Sequence, residues 1–297
     1  MIKFYQKLMK RIPLLLAALG VVSAAAYAAP ELRVTSIGQE VEIEHFCGTE
    51  KTTAWLYNKV GLAYGDDWTF GFEGSKQWAY YDKKDDVKGA DNRIIFDAWK
   101  RINEDLKLGV RYRGHEDNQR FMVRYDYSHG MFLSSGDFWY QVNEAEGTAD
   151  TLRAEWFPIG VKIGPVTAKY LCDYTEMVGG TVAGEQESSV EHQLRLYAPL
   201  YKGERLSLST EARITLHAEN DYNGQAMTKG KKGYETFEDF GRNRLYLKAN
   251  YAVSENLGVY AQYAYELIDR EERDGFDPKA LNNADDQIFV FGWTYTF

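Results

Sequence analysis

The stretch RLSLSTEARITLH restricts the possible folds more than any other in the chain. Leu206, Leu208, Thr210, Ala212, Ile214 and Leu216 alternate there with Ser207, Ser209, Glu211, Arg213, Thr215 and His217. Successive side chains of a strand point to opposite faces, so a period of two yields one apolar face and one polar face. The same rhythm returns in LKLGVRYR from Leu106, RFMVRYDYSH from Arg120, TLRAEWF from Thr151, VTAKYLCDY from Val166, RLYLKANY from Arg244 and LGVYAQYAYELI from Leu257. Apolar residues seldom recur at the three-and-four spacing of a helix beyond Ala28, so the expected class is all-β.

A soluble sandwich would bury the apolar faces in a core, whereas a membrane barrel would turn them to lipid and enclose the polar ones. The spacing of the interruptions separates the two. Short breaks at 65–67, 103–105, 132–137, 164–165, 201–204 and 254–256 alternate with longer or more charged ones near 47–52, 82–91, 114–119, 143–149, 177–188, 220–241 and 269–286. That is the rhythm of a barrel with short turns at one end and long loops at the other. The breaks delimit fourteen strands: 36–46, 52–64, 68–81, 92–102, 106–113, 119–131, 137–143, 149–163, 166–176, 189–200, 205–219, 242–253, 257–269 and 286–297. Twelve or sixteen strands are the alternatives. An even number brings both ends of the chain to one side, as closure of a bacterial transmembrane antiparallel up-and-down β-barrel requires.

Lys3, Lys7, Lys10 and Arg11 precede the uncharged run IPLLLAALGVVSAAAYAAP, which contains Ala26-Tyr27-Ala28. This is the pattern of a signal peptide over 1–28, leaving a single barrel domain over 29–297. Its apolar core, about a dozen residues, is too short to span a bilayer, and no later segment is long and apolar enough to span as a helix. Removing those four cations takes the formal charge from −9 to −13, which argues against a nucleic-acid partner. Cys47 and Cys172 are too few for a disulfide framework and read as two isolated thiols. A mean hydropathy of −0.49 is low for a helical membrane protein but ordinary for a barrel, where about half of each strand meets water.

With the apolar faces outward, the strands place Arg111, Arg113, Arg120, Arg124, Arg153, Lys169, Arg195, Arg213, Arg242, Arg244 and Lys248 inside. Glu73, Asp97, Asp126, Glu155, Asp173, Glu191, Glu211 and Glu266 stand against them. Mixed charge keeps such an interior wet and sets up a transverse field. Arg111, Arg113, Arg120 and Arg124, on adjacent strands, offer guanidinium forks to anionic sugars, or else pair with Asp126, Asp97 or Glu73 and simply line the wall. None of His45, His115, His129, His192 and His217 sits in a nucleophile or metal-binding motif, and no catalytic residue, cofactor or metal site is expected. In the closing IFVFGWTYTF, Phe289, Phe291, Trp293, Tyr295 and Phe297 share one face, expected toward lipid, with Ile288, Val290, Gly292, Thr294 and Thr296 inside.

With EHQLRLYAPLYKGERLSL, EDFGRNRLYLKANYAVSENLGVYAQYAYELIDREERD and FGWTYTF, and more weakly NKVGLAYGDDWTFGFEGSKQWAYY and NEDLKLGVRY, the chain resembles the outer membrane protein G (OmpG) family of monomeric porins. The twelve-stranded oligogalacturonate and sialate porins are similar in rhythm. The resemblance implies an integral protein of the bacterial outer membrane, working as a monomer and passing ions and small sugars or oligosaccharides. The terminal aromatic row also resembles the signal read by the outer-membrane barrel assembly machinery. In the family, a loop after strand eleven closes the pore under control of two histidines. The matching positions here hold Glu238 and Arg270, which stay oppositely charged across physiological pH, so no imidazole switch is expected there. The acidic connections suit divalent ions bridging to lipopolysaccharide. Alternative readings are an adhesin acting through those loops and, more remotely, a barrel hydrolase.

Overall fold

A computed structural model describes residues 31–46, 51–81, 86–181, 186–223, 236–271 and 285–297. They form fourteen strands. These are β1 Leu32–Phe46, β2 Lys51–Tyr64, β3 Trp68–Tyr81, β4 Asp86–Arg101, β5 Leu106–Gly114, β6 Asn118–His129 and β7 Phe132–Asn143. The second half comprises β8 Asp150–Ile163, β9 Val166–Val178, β10 Gln186–Lys202, β11 Leu206–Tyr222, β12 Thr236–Ala252, β13 Leu257–Glu271 and β14 Asp286–Thr296. Each strand pairs antiparallel with its chain neighbours, and β14 returns to β1 to close the barrel. That last ladder runs from Ser36 opposite Thr296 to Phe46 opposite Asp286. Closure leaves no edge whose N–H and C=O groups would lack partners, a condition that a hydrocarbon environment imposes.

The two faces separate as the alternation requires. Met122 is 9 % exposed and points inward, while its neighbour Val123 is 64 % exposed and points out. Val41, Val60, Phe72, Val110, Phe121, Leu245, Leu247 and Phe291 form the same apolar exterior on other strands. Toward the short-turn end the outer face carries Trp68, Tyr127, Phe132, Tyr201, Tyr251 and Tyr295, all exposed, as in the aromatic girdle of a membrane barrel. Phe289 and Phe291 lie outside and Ile288 and Val290 are buried inside, the division read from the closing stretch.

Boundaries differ from the sequence expectation where bulges or ring packing intervene. The run FLSSGD, read as a turn, is the start of β7. The turn is Gly130-Met131, closed by Gly130 at φ 57 with His129 opposite Phe132. Gly136, which made the run look like a turn, instead makes room for the rings of Phe138 and Tyr125. Strand β4 starts at Asp86 rather than 92, past a bulge opposite Gln77 and Trp78. Strand β12 starts at Thr236 rather than 242, with its pairing to β13 shifted between Phe237 and Arg242. Such bulges insert an unpaired residue without ending the strand.

Candidate functional site

The register fixes which charged groups meet inside. Arg111 stands opposite Asp97 and Met122, Arg113 opposite Arg120, Arg124 opposite Asp137, and Arg153 opposite Trp139 and Thr175. Lys169 and Arg195 face each other, and Arg213 stands between Arg195 and Arg244. Glu73, Asp97, Asp126, Glu155, Asp173, Glu191, Glu211, Glu266, Arg242 and Lys248 occupy the same interior-facing positions.

On the β10–β13 wall all of these cations but Arg195 meet a carboxylate. Glu266, almost fully buried, accepts from Arg242 Nε at 2.9 Å and from Arg244 Nε. Glu211 accepts from Arg213 Nε at 2.6 Å and Lys248 Nζ at 2.5 Å. Glu191 accepts from Thr215 Oγ1 at 2.6 Å and Gln193 Nε2 at 2.7 Å, with Arg242 at 3.5 Å. The ring of Tyr246 lies 4.6 Å from the Arg213 guanidinium carbon, and its hydroxyl accepts from Arg244.

The β3–β9 wall pairs most of its cations but not all. Asp97 accepts from Arg111 Nε at 3.0 Å and Arg124 Nη1 at 2.9 Å, while Arg124 Nε donates to Asp137 at 2.8 Å. Arg153 holds Asp173 through two bonds of 2.9 and 2.6 Å, with Glu155 at 3.6 Å, and Arg93 holds Glu73 at 3.1 Å. Aromatic rings lie under the same cations: Trp55 under Arg93 at 4.7 Å, Trp99 under Arg124 at 4.6 Å, and Trp139 near both Arg120 and Arg153. The Trp99 indole lies over Gly109, where a Cβ would meet it at 2.7 Å. Ring and carboxylate together fix where each guanidinium points.

Of the eleven cations expected inside, four remain without an ion pair to a described carboxylate. Lys169 and Arg195 share the ring of Phe157, at 5.4 and 5.0 Å. Arg120 donates to Gln141 Oε1 at 2.5 Å. Arg113 makes no hydrogen bond among the described residues, and its Nε is buried and unpaired. Asp126, one of the carboxylates expected to pair with the arginines, forms no ion pair among the described residues and sits exposed near the short-turn end.

On β1, Glu40, Glu42 and Glu44 also face inward. Glu40 meets Lys59 at 3.0 Å and Tyr260, and Glu42 accepts from the Tyr57 hydroxyl at 2.8 Å. The interior thus sets an acidic strip on β1 apart from a cationic surplus on β5 and β6. The expectation did not include these glutamates, nor Arg93, Asp137 or Lys59. Val41 and Ile43 flanking Glu42 were the signal that could have found the first group. Glu238 and Arg270 lie in β12 and β13, with Arg270 opposite Phe237, but their side chains fall outside the described residues. Cys172 is a free, half-buried thiol, whereas Cys47 lies outside the described residues.

No protein-family model matches the chain, and no curated protein matches it in sequence. Among solved structures it is similar to a bacterial polysaccharide outer membrane secretin, with a TM-score of 0.51 at 9% identity over 89% of this chain and 98% of that one. It also matches OmpT, an outer membrane protein of Vibrio cholerae, at a TM-score of 0.46 and 12% identity over 92% and 100%. An anion-selective porin from Comamonas acidovorans matches at 0.45 and 10% identity over 90% and 100%. At such identities the likeness is one of fold, that of outer-membrane β-barrels.

Proposed function

We propose that this chain is an outer-membrane porin: a water-filled channel for passive diffusion of ions and small hydrophilic solutes, sugars or oligosaccharides among them. The observation that carries the reading is the interior itself, ringed by charged side chains in a barrel wide enough to stay open. Fourteen strands spaced about 4.8 Å apart and tilted about 40° enclose a backbone radius of about 14 Å. Interior side chains cannot fill that width, and charges without ion pairs such as Arg113 require water or a solute. The apolar exterior and its girdle suit lipid, with lipopolysaccharide on the outer leaflet.

In this reading the chain enters the periplasm on a cleaved signal peptide and reaches the assembly machinery through its C-terminal strand. It works as a monomer, as the resemblance to the monomeric porins implies. It performs no catalysis and needs no cofactor. The test is planar-bilayer recording of the refolded protein in potassium chloride, beside liposome swelling with sugars of increasing size. Stepwise conductance and size-dependent swelling are expected. A correctly folded barrel that leaves bilayers silent and liposomes unswollen would overturn the reading.

A further inference from the structure

Arg113 on β5 and Arg120 on β6 are cross-strand partners on the interior face. Like charges placed directly opposite each other weaken a sheet, so such a pair normally borrows a carboxylate from a neighbour. Here the neighbouring carboxylates are turned to other partners: Asp97 to Arg111 and Arg124, Asp137 to Arg124, Glu73 to Arg93, Glu155 to Arg153 at 3.6 Å, and Asp91, by a hydrogen bond rather than a full ion pair, to His115 Nδ1 at 2.6 Å. Arg120 has Gln141, a neutral acceptor, and Arg113 has none among the described residues. Both side chains are only partly covered. The register sets the two guanidinium side chains on neighbouring interior positions, with no described carboxylate shared between them.

We propose that Arg113 and Arg120 form an oxyanion subsite that takes the carboxylate or phosphate group of a small hydrophilic solute. Two guanidiniums present parallel N–H donors to a planar or tetrahedral oxyanion, which a single chloride cannot span as well. The charge between the two arginines is then neutralised by the solute itself. Trp139, 5.5 Å from the Arg120 guanidinium carbon, offers a flat surface beside the subsite. The like-charged pair Lys169 and Arg195 differs in that both cations rest on Phe157, and Arg213, opposite Arg195 and Arg244, in that it is bonded to Glu211. The inference rests on the channel reading for its route of access, yet the binding step is measurable without conductance.

The test is isothermal titration of the full chain, refolded in detergent at low ionic strength, with glucuronate, inorganic phosphate and glucose as probes. Glucuronate, phosphate or both should bind while glucose does not, and whichever binds names the source of the oxyanion. The double substitution Arg113→Gln/Arg120→Gln should weaken binding by about tenfold or more for each guanidinium removed. Lys59→Gln, on the other side of the interior, should leave it unchanged. Binding of neither glucuronate nor phosphate more tightly than glucose in the unsubstituted protein would overturn the subsite without any variant having to fold. So would double-variant binding equal to that of Lys59→Gln. In parallel, the same anions should block potassium chloride conductance of the unsubstituted protein. Conductance without anion binding sinks the subsite and leaves the channel, whereas binding without conductance sinks the channel and leaves the subsite.

Discussion

Tyr260 on β13 donates its hydroxyl to Glu40 on β1 at 2.5 Å, reaching across β14 at the seam where the barrel closes. The ring passes over Gly292, where a Cβ would collide with it and with the Gln39 carbonyl oxygen. Glu40 in turn meets Lys59 on β2, so one carboxylate ties the last hairpin to the first. The glycine in IFVFGWTYTF is therefore a matter of clearance at the seam.

Gly292→Ala should cost about 1–3 kcal/mol, as overpacking of a tight contact does. Tyr260→Phe should cost about 1 kcal/mol, because Glu40 keeps Lys59 and the interior can supply water. Urea midpoints of protein refolded into lipid give both values. If Gly292→Ala matches the unsubstituted protein, the ring does not occupy that space.

Glu266 is the anchor of the β12–β13 wall. Its side chain is 3 % exposed and takes both Arg242 and Arg244. Glu266→Gln should destabilise by about 3 kcal/mol, since it takes the shared carboxylate from two partly buried guanidiniums, leaving Arg242 with Glu191 at 3.5 Å and Arg244 with the Tyr246 hydroxyl. Lys59→Gln breaks a pair whose lysine is 40 % exposed and should cost less than about 1 kcal/mol. The same urea titrations compare them, and a cost for Glu266→Gln no greater than for Lys59→Gln would show the network to be solvated.

Conductance should stay within about twofold between about pH 5 and pH 7.5, because the positions that the resemblance to the OmpG family would assign to a histidine pair carry Glu238 and Arg270. Two histidines do stack, His192 and His217 at 6.1 Å, but they stand opposite each other on the outward face. The one histidine on the inner face among the described residues, His115, is bonded to Asp91. Single-channel recordings at both ends of that range check the expectation, and acid closure would defeat it.

Strand number and facing were legible because they depend on a local property, the period of two along each strand. Partner choice was not. Asp137 lay hidden in Ser-Ser-Gly-Asp, whose composition mimics a turn, although Gly136 is there for the rings beside it. That Arg124 reaches both Asp137 and Asp97, on strands to either side, follows from register and from Gly109 admitting the Trp99 ring. Nor does polarity alone assign a face: Met122, Trp139, Leu171 and Val290 are apolar yet point inward among the charges. A bulge such as the one between Trp156 and Ile159 resets the alternation within a strand, and no composition rule marks it.

The facing of β6 offers the most direct test of the membrane reading. Met122 and Val123 are adjacent, equally apolar in sequence and opposite in environment. Val123→Arg puts a guanidinium on the lipid side near mid-strand and should cost about 2–4 kcal/mol in a bilayer. Met122→Arg points toward water and toward Asp97, Asp137 and their arginines, where it should cost less and shift anion preference instead. In detergent micelles, which deform around a charge, the gap between the two variants should shrink. A soluble sandwich predicts the reverse order, with the buried Met122 the costlier site. Folding titrations of both variants in lipid vesicles therefore discriminate the two architectures by the sign of one difference, independently of any transport measurement.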